Sequence, residues 1–292
     1  MSVREPVGVI GIGAMGLAMA LNLRRKGWPV FARDLRAEAE TDARAAGLVI
    51  CDSPKALAAQ TATVIVVVVD AAQIEAVLFG ADGVVQAECG AATVLLCSTI
   101  APDDTARFAS RLAEHGIAAV DAPISGGPAR ALAGTMSVML AAPKATLEAC
   151  RALLTDLADK RFVVSETIGD AAKAKLVNNL LAGTNLVASA EAMALGEKLG
   201  LDATRLVEIV RASSGASWVF EDRMARALTE DFSPPRAAAR ILTKDLGLAT
   251  ALAAGVGHAT PLGDAALARF QEMVARGWAE LDDSAVIKTC RD

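Results

Sequence analysis

A chain of 292 residues with 29 Lys+Arg, 34 Asp+Glu and 53% hydrophobic residues is long enough for one large core or two ordinary domains and too apolar to be disordered. Its net charge of −5, with no basic run anywhere, excludes the electrostatic footprint of a nucleic-acid partner. The most continuous apolar run, at 62–69, falls short of the roughly 20 residues that cross a bilayer, and the N-terminus lacks the long apolar stretch of a secretory signal. The expectation is a cytoplasmic protein with no membrane partner.

Up to about residue 165, β-branched runs at 7–10, 30–32, 64–69, 93–97 and 118–121 alternate with helical patterns. Such alternation predicts βαβ units and a parallel sheet. The run VIVVVV at 64–69 is continuous, as a central strand covered on both faces should be. After Gly169 the strand signals stop. Residues 171–199 contain no proline and carry apolar side chains on nearly every face, which predicts a long buried helix. The remainder reads as Ala- and Leu-rich helices broken at Ser213-Ser214-Gly215, at Pro234-Pro235 and at Pro261. The predicted fold class is therefore α/β, with a doubly wound Rossmann-type domain over 1–165 and an all-helical domain over 166–292, joined by the long helix. The apolar helices of the second domain predict a homo-oligomer, a dimer or tetramer. Five scattered cysteines without a C-x-x-C pair read as reduced, buried thiols. Neither histidine, His115 or His258, has a second His or Cys at ligand spacing, so no metal site is expected.

The first strand runs into Gly11-Ile12-Gly13-Ala14-Met15-Gly16, and a helical pattern follows. A G-x-G-x-x-G between strand and helix lets the backbone turn tightly and approach a pyrophosphate, whose charge the helix N-terminus favours. About twenty residues on, Asp34 ends the second strand, where a carboxylate can accept both hydroxyls of an adenosine ribose. That implies NAD. Arg33 and Arg36 flank Asp34 and offer the alternative of meeting the 2′-phosphate of NADP.

Oxidation of an alcohol by such a cofactor needs a base, and neither histidine is well placed to be one. Lys175 has Asn178 and Asn179 three and four positions on, so all three share a helix face that Ala182, Leu186 and Met193 continue. An apolar setting favours the neutral amine that can accept a proton. Lys173, on nearly the opposite face, is a rival, and an ion-paired structural lysine is the plain alternative. A second loop, Asp121-Ala122-Pro123-Ile124-Ser125-Gly126-Gly127-Pro128, follows a strand at the edge of the sheet where ligands are expected. Its two glycines after a serine suit a carboxylate, or a plain turn. Ser98-Thr99, after another strand, is similarly placed.

Four segments in order, GIGAMGLAMALNL (11–23), DAPISGGPARALAGT (121–135), KLVNNLLAG (175–183) and KDLGLA (244–249), resemble the β-hydroxyacid dehydrogenase family. The likeness covers nearly the whole chain. It implies an NAD-dependent oxidoreductase acting on a small-molecule hydroxy acid. By the same resemblance Lys175 is the general acid/base, Asn179 contacts the substrate, and Ser125, Gly126 and Gly127 cradle its carboxylate. Gly11, Ile12, Gly13, Ala14, Met15, Asp34, Thr99 and Lys244 would meet the cofactor or its immediate surroundings. One departure matters, since many members have glycine where this chain has Arg130. A long cation there fits a polyhydroxylated acid better than an apolar one, unless it is solvated at the loop rim. The segment around Trp218 and Phe220 is expected to share in that selectivity. A dinucleotide-binding redox sensor without catalysis is the competing reading, and the pairing of Lys175 with Asn179 argues against it.

Overall fold

The computed structural model describes residues 4–291. The chain separates into two compact units whose boundary in sequence lies between Lys175 and Leu176. In the first unit, β1 (Val7–Ile10), β2 (Val30–Arg33), β3 (Val49–Ile50), β4 (Thr63–Val66), β5 (Thr93–Leu96) and β6 (Ala118–Asp121) form a parallel sheet in the order β3-β2-β1-β4-β5-β6. Its register explains why the strands read as unbroken apolar runs. Val9, Ile65, Leu95 and Val120 are in line across four strands and enter one core, whereas Ile10, Val64, Val66, Val94 and Leu96 enter a second core on the other face. Each fully buried aliphatic side chain contributes about 1.5–3 kcal/mol, so a sheet filled on both faces is strongly stabilised. The strand order reverses between β1 and β4, which opens the crevice where doubly wound sheets bind ligands.

The run at 64–69 is a central strand, flanked by β1 and β5, but β4 stops at Val66. Val67 to Val69 leave the sheet beside the crevice, where Asp70 caps the helix Ala71–Phe79 by accepting from the Gln73 N–H at 2.9 Å. Three further strands escape the sequence pattern, as the two-residue β3 does: β7 (Ile124–Ser125), β8 (Ser137–Ala141) and β9 (Lys160–Ser165). β8 runs antiparallel to β6 and β7, and parallel to β9. Phe162, Val163 and Val164 of β9 are exposed, so this strand shows no alternation to read.

The long helix spans Asp170–Lys198. Buried along its entire circumference it is not. Leu186, Ala190 and Met193 are buried, while Val177, Leu181 and Leu195 are 65%, 62% and 59% exposed in the single chain. At 100° per residue these three share one stripe, roughly opposite Lys175 and Asn179. Composition alone could not show this, because apolar side chains cover the stripe facing solvent as well as the one facing the core.

The second unit continues with the helices Ala203–Arg211, Trp218–Thr229, Ala239–Gly255 and Pro261–Ala275. Phe220, Met224, Leu246, Phe270, Val286 and Ile287 build its core with Leu186 and Met193. Pro261 opens a helix, as a residue with no N–H to satisfy readily does. Of the cysteines, Cys51, Cys97 and Cys150 are buried, whereas Cys89 is exposed, contrary to the expectation for it. No described helix is long and apolar enough to cross a membrane, and no group of three metal-ligating side chains gathers among the described residues.

Candidate active site

The glycine loop leaves β1 at Gly11, whose φ of +90° and closeness to the Val67 carbonyl, 2.5 Å from a would-be Cβ, exclude any side chain. A Cβ on Gly16 would lie 2.0 Å from the Gly11 carbonyl oxygen, so that glycine lets the helix Ala14–Arg25 close onto the loop. Gly13 is different. Its would-be Cβ meets only the tip of Arg36, at an ordinary 3.4 Å, and the protein itself gives no steric reason for a glycine. The helix after it has no side-chain cap and no acidic residue in its first turn. Bare N–H groups, a loop without a side chain at its middle and no competing negative charge fit a pyrophosphate.

Asp34 follows β2 directly and is 8% exposed. Its Oδ1 accepts from the backbone N–H and Nε of Arg36 at 2.9 and 3.1 Å, and its Oδ2 from Nη2 at 3.2 Å. Burial alone would raise this carboxyl. The hydrogen bonds and charge of Arg36, with the backbone N–H of Ile12, more than offset it and hold the group below the usual carboxylate range. Ile12 of the loop and Asp34 are thus brought together. Arg33 is taken up by Glu40 and by the Asp34 carbonyl, so of the two flanking arginines only Arg36 reaches the Asp34 carboxylate. Ala14 is exposed and Met15 half-buried at the start of the helix.

Thr99 lies just beyond β5, half-buried, and the Oγ of its neighbour Ser98 is buried without a hydrogen-bond partner. Ser125 ends β7, and the chain then turns through Gly126 and Gly127, with φ of +127° and +75°. All three are half-buried. Arg130 is exposed, with its Cδ 3.1 Å from a would-be Cβ on Gly126, so it packs along the loop.

Lys175 is 7% exposed. Lys173 extends into solvent and pairs with Asp170 at 2.8 Å. The phase of the helix therefore separates the two lysines. One turn beyond Lys175, Asn179 is also buried, and its Nδ2 donates to Asp245 Oδ2 at 2.7 Å. Lys244 donates to the other oxygen of Asp245 at 2.7 Å, so a single buried carboxylate brings Asn179 and Lys244 together. Asn178, which is exposed, donates to Asn179 Oδ1 at 3.1 Å.

Two acidic residues quoted within motifs but given no role from the sequence are buried, each within its own unit: Asp245 joins Asn179 and Lys244, and Asp121 accepts the N–H groups of Gly169 and Ala172. Their visible signal is a carboxylate inside an apolar run, which must find partners when buried. The segment around Trp218 divides. Phe220 is core, 1% exposed, and Arg223 and Arg226 bind Asp283 and Asp282 at 2.8 and 3.2 Å. Trp218, with Arg211, Glu221 and Asp222, lines an open cleft of about 520 Å³.

The chain is similar to known proteins along nearly its whole length. Residues 6–168 match the family model of the NAD-binding domain of 6-phosphogluconate dehydrogenase. Residues 169–290 match that of the NAD-binding domain of NADP-dependent 3-hydroxyisobutyrate dehydrogenase. An L-threonate dehydrogenase of Cupriavidus necator is 40% identical over 97% of this chain and 95% of its own. A NAD-dependent L-serine dehydrogenase of Pseudomonas aeruginosa is 36% identical over 97% of each chain. The crystal structure of a 3-hydroxyisobutyrate dehydrogenase from Salmonella typhimurium superposes with a TM-score of 0.91 at 34% identity, covering 97% of this chain and 99% of that one.

Proposed function

The chain belongs to the NAD-dependent β-hydroxyacid dehydrogenase family, and we propose that within it the substrate is a sugar acid, L-threonate, oxidised at C2. The observation that carries a lysine-based mechanism is the contrast between Lys175, buried one turn before an Asn179 fixed by Asp245, and Lys173, spent in a surface ion pair. Lys175 takes the hydroxyl proton. Asn179, with one amide N–H committed to Asp245, retains its second for the substrate. Ser125 and the backbone of Gly126 and Gly127 hold the carboxylate, which fixes the carbon next to it. A bound NAD would supply the acceptor for the hydride leaving that carbon. The loop from Gly11 to Met15 holds the pyrophosphate, Asp34 the adenosine ribose, and Thr99 and Lys244 complete the cofactor's surroundings.

The substrate rests on the likeness to the C. necator enzyme along nearly the whole chain and on Arg130 lying along the carboxylate loop. A second reading, oxidation of a smaller acid such as serine or 3-hydroxyisobutyrate, draws on the comparable likeness to the P. aeruginosa enzyme. The two differ in polar groups to be paired, and each hydroxyl left unpaired in a closed site costs about 1–3 kcal/mol. A site built for three hydroxyls should therefore favour L-threonate over 3-hydroxyisobutyrate by at least about a hundredfold in kcat/KM, followed as reduced-nicotinamide absorbance. Arg130→Gly should erase much of that ratio. Comparable rates on both acids would move the protein to the second reading, and an unchanged ratio in the variant would return Arg130 to the solvated rim. We further take the protein to be a homo-oligomer, with the exposed stripe of the long helix as the face a second copy covers.

A further inference from the structure

We propose that Asp121 is a positioning residue that sets the spacing between the carboxylate-binding loop and the catalytic lysine. This rests on the reading of Lys175 as the base and of Ser125 to Gly127 as the carboxylate cradle.

Asp121 is the last residue of β6, in register with Leu96 of β5 and Ala141 of β8, and is 1% exposed. Its backbone is therefore fixed to the sheet on both sides. Its Oδ2 accepts the N–H of Gly169 at 2.9 Å and that of Ala172 at 3.0 Å, and the N–H of Ala171 adds to the same carboxylate. These are donors that the first turn of a helix leaves unmatched. Such donors are ordinarily met by the residue just before the helix. Here the local carboxylate, Asp170, faces away and binds Ser165 Oγ at 2.7 Å and Lys173 at 2.8 Å. The cap comes instead from a strand 48 residues earlier in the chain.

From Asp121 the chain enters the loop, reaching Ser125 four residues on. From Ala172 it continues along the helix to Lys175, three residues on and about 4.5 Å along the axis. One carboxylate thus ties together the two segments that must hold the same substrate. The arrangement is also a costly way to cap a helix: burial pushes the Asp121 carboxyl up to about 6 despite its hydrogen bonds. A misplacement of about 1 Å between reacting groups can reduce a rate roughly a hundredfold, so the tie reaches catalysis without Asp121 touching the substrate.

The test compares kcat for hydroxy-acid oxidation, KM for NAD, and amide hydrogen exchange of residues 166–175 in the full chain. Asp121→Ala should lower kcat by about 30- to 100-fold, leave KM for NAD within about twofold, and speed exchange in 166–175. Asp121→Asn should recover kcat to within about threefold and restore protection, because one amide oxygen can accept both N–H groups. Asp121→Glu keeps the charge but displaces it by a methylene, and should lose at least about tenfold in kcat. It also serves if the alanine variant does not fold. Wild-type kcat in a folded Asp121→Ala or Asp121→Glu overturns the proposal, as does unchanged exchange in 166–175. Lys175→Met is run alongside. If it is inactive while Asp121→Ala is fully active, only the proposal falls, whereas wild-type kcat in Lys175→Met removes the reading of the lysine and the proposal with it.

Discussion

The two lysines of one helix turn, Lys173 and Lys175, show how much a single side chain's environment decides. Loss of a general acid/base lowers kcat by about a hundredfold to ten-thousandfold, so Lys175→Ala should fall in that range with the KM for NAD preserved. Lys173→Ala, which removes only a surface ion pair with Asp170, should keep wild-type kcat. The reverse result would put catalysis on the opposite face of the helix. At the cofactor end, Asp34 holds Arg36 by both carboxylate oxygens. A carboxylate repels a 2′-phosphate, while the exposed guanidinium it restrains would attract one, so NAD should be preferred over NADP. Asp34→Ser releases Arg36 and removes the ribose acceptor together. The ratio of kcat/KM for NAD over NADP should then drop by about tenfold to a hundredfold, the worth of a charged hydrogen bond. Equal use of both cofactors by the unmodified protein would contradict the assignment. The sequence marked Asp34 by its distance from the glycine loop, but the Arg36 contact that occupies its oxygens could not be read from spacing, because either flanking arginine satisfied the pattern.

The long helix is the element on which the site depends, and its N-terminal anchor has a pH signature of its own. Burial raises the Asp121 carboxyl from 3.8 to about 6, opposed by the N–H groups of Ala172, Gly169 and Ala171, with the nearby negative Asp170 adding to the rise. The Cys97 thiol, the other titratable group facing it, is itself pushed up by burial and stays neutral. Between the two values the folded chain holds a proton that the unfolded chain has lost. Stability from this group is therefore greatest at acid pH, falls as pH rises through that window, and is fully lost above about 6; the difference amounts to about 3 kcal/mol. Asp121→Asn carries no such titration. In urea unfolding, the stability of Asp121→Asn relative to wild type should rise by about 2–3 kcal/mol between about pH 4 and about pH 7.5. A constant difference would show the carboxylate to be solvated. The helix itself was legible in the sequence to within a residue at each end, since no proline or glycine pair interrupts 171–199. Its cap was not, because a helix capped from a distant strand leaves no local mark.

For the molecule as a whole, five of the six parallel strands and the helical second half could be foreseen, because each central strand is apolar on both faces and Ala- and Leu-rich stretches between prolines and Ser-Gly breaks mark the helices. The strands β3, β7, β8 and β9 could not, since β3 and β7 span two residues each and β9 exposes both its faces at the sheet edge. The same cause, apolar residues at positions that the single chain leaves uncovered, misled the reading of the long helix as buried all round, and it points to assembly. Val177, Leu181 and Leu195 lie on one stripe, away from Lys175 and Asn179, and are each more than half exposed. Covering such a side chain contributes about 1.5–3 kcal/mol, so two copies sharing this stripe recover several times that amount. Light scattering on the eluted protein should give two or four times the 30.0 kDa of one chain. Leu181→Glu places a charge in the middle of the stripe and should shift the mass towards 30.0 kDa without unfolding either unit, since its side chain is 62% exposed in the single chain. A wild-type mass of one chain at about 10 µM would show that the stripe has no second copy to bury it. An assembly that persists in Leu181→Glu would place the interface elsewhere.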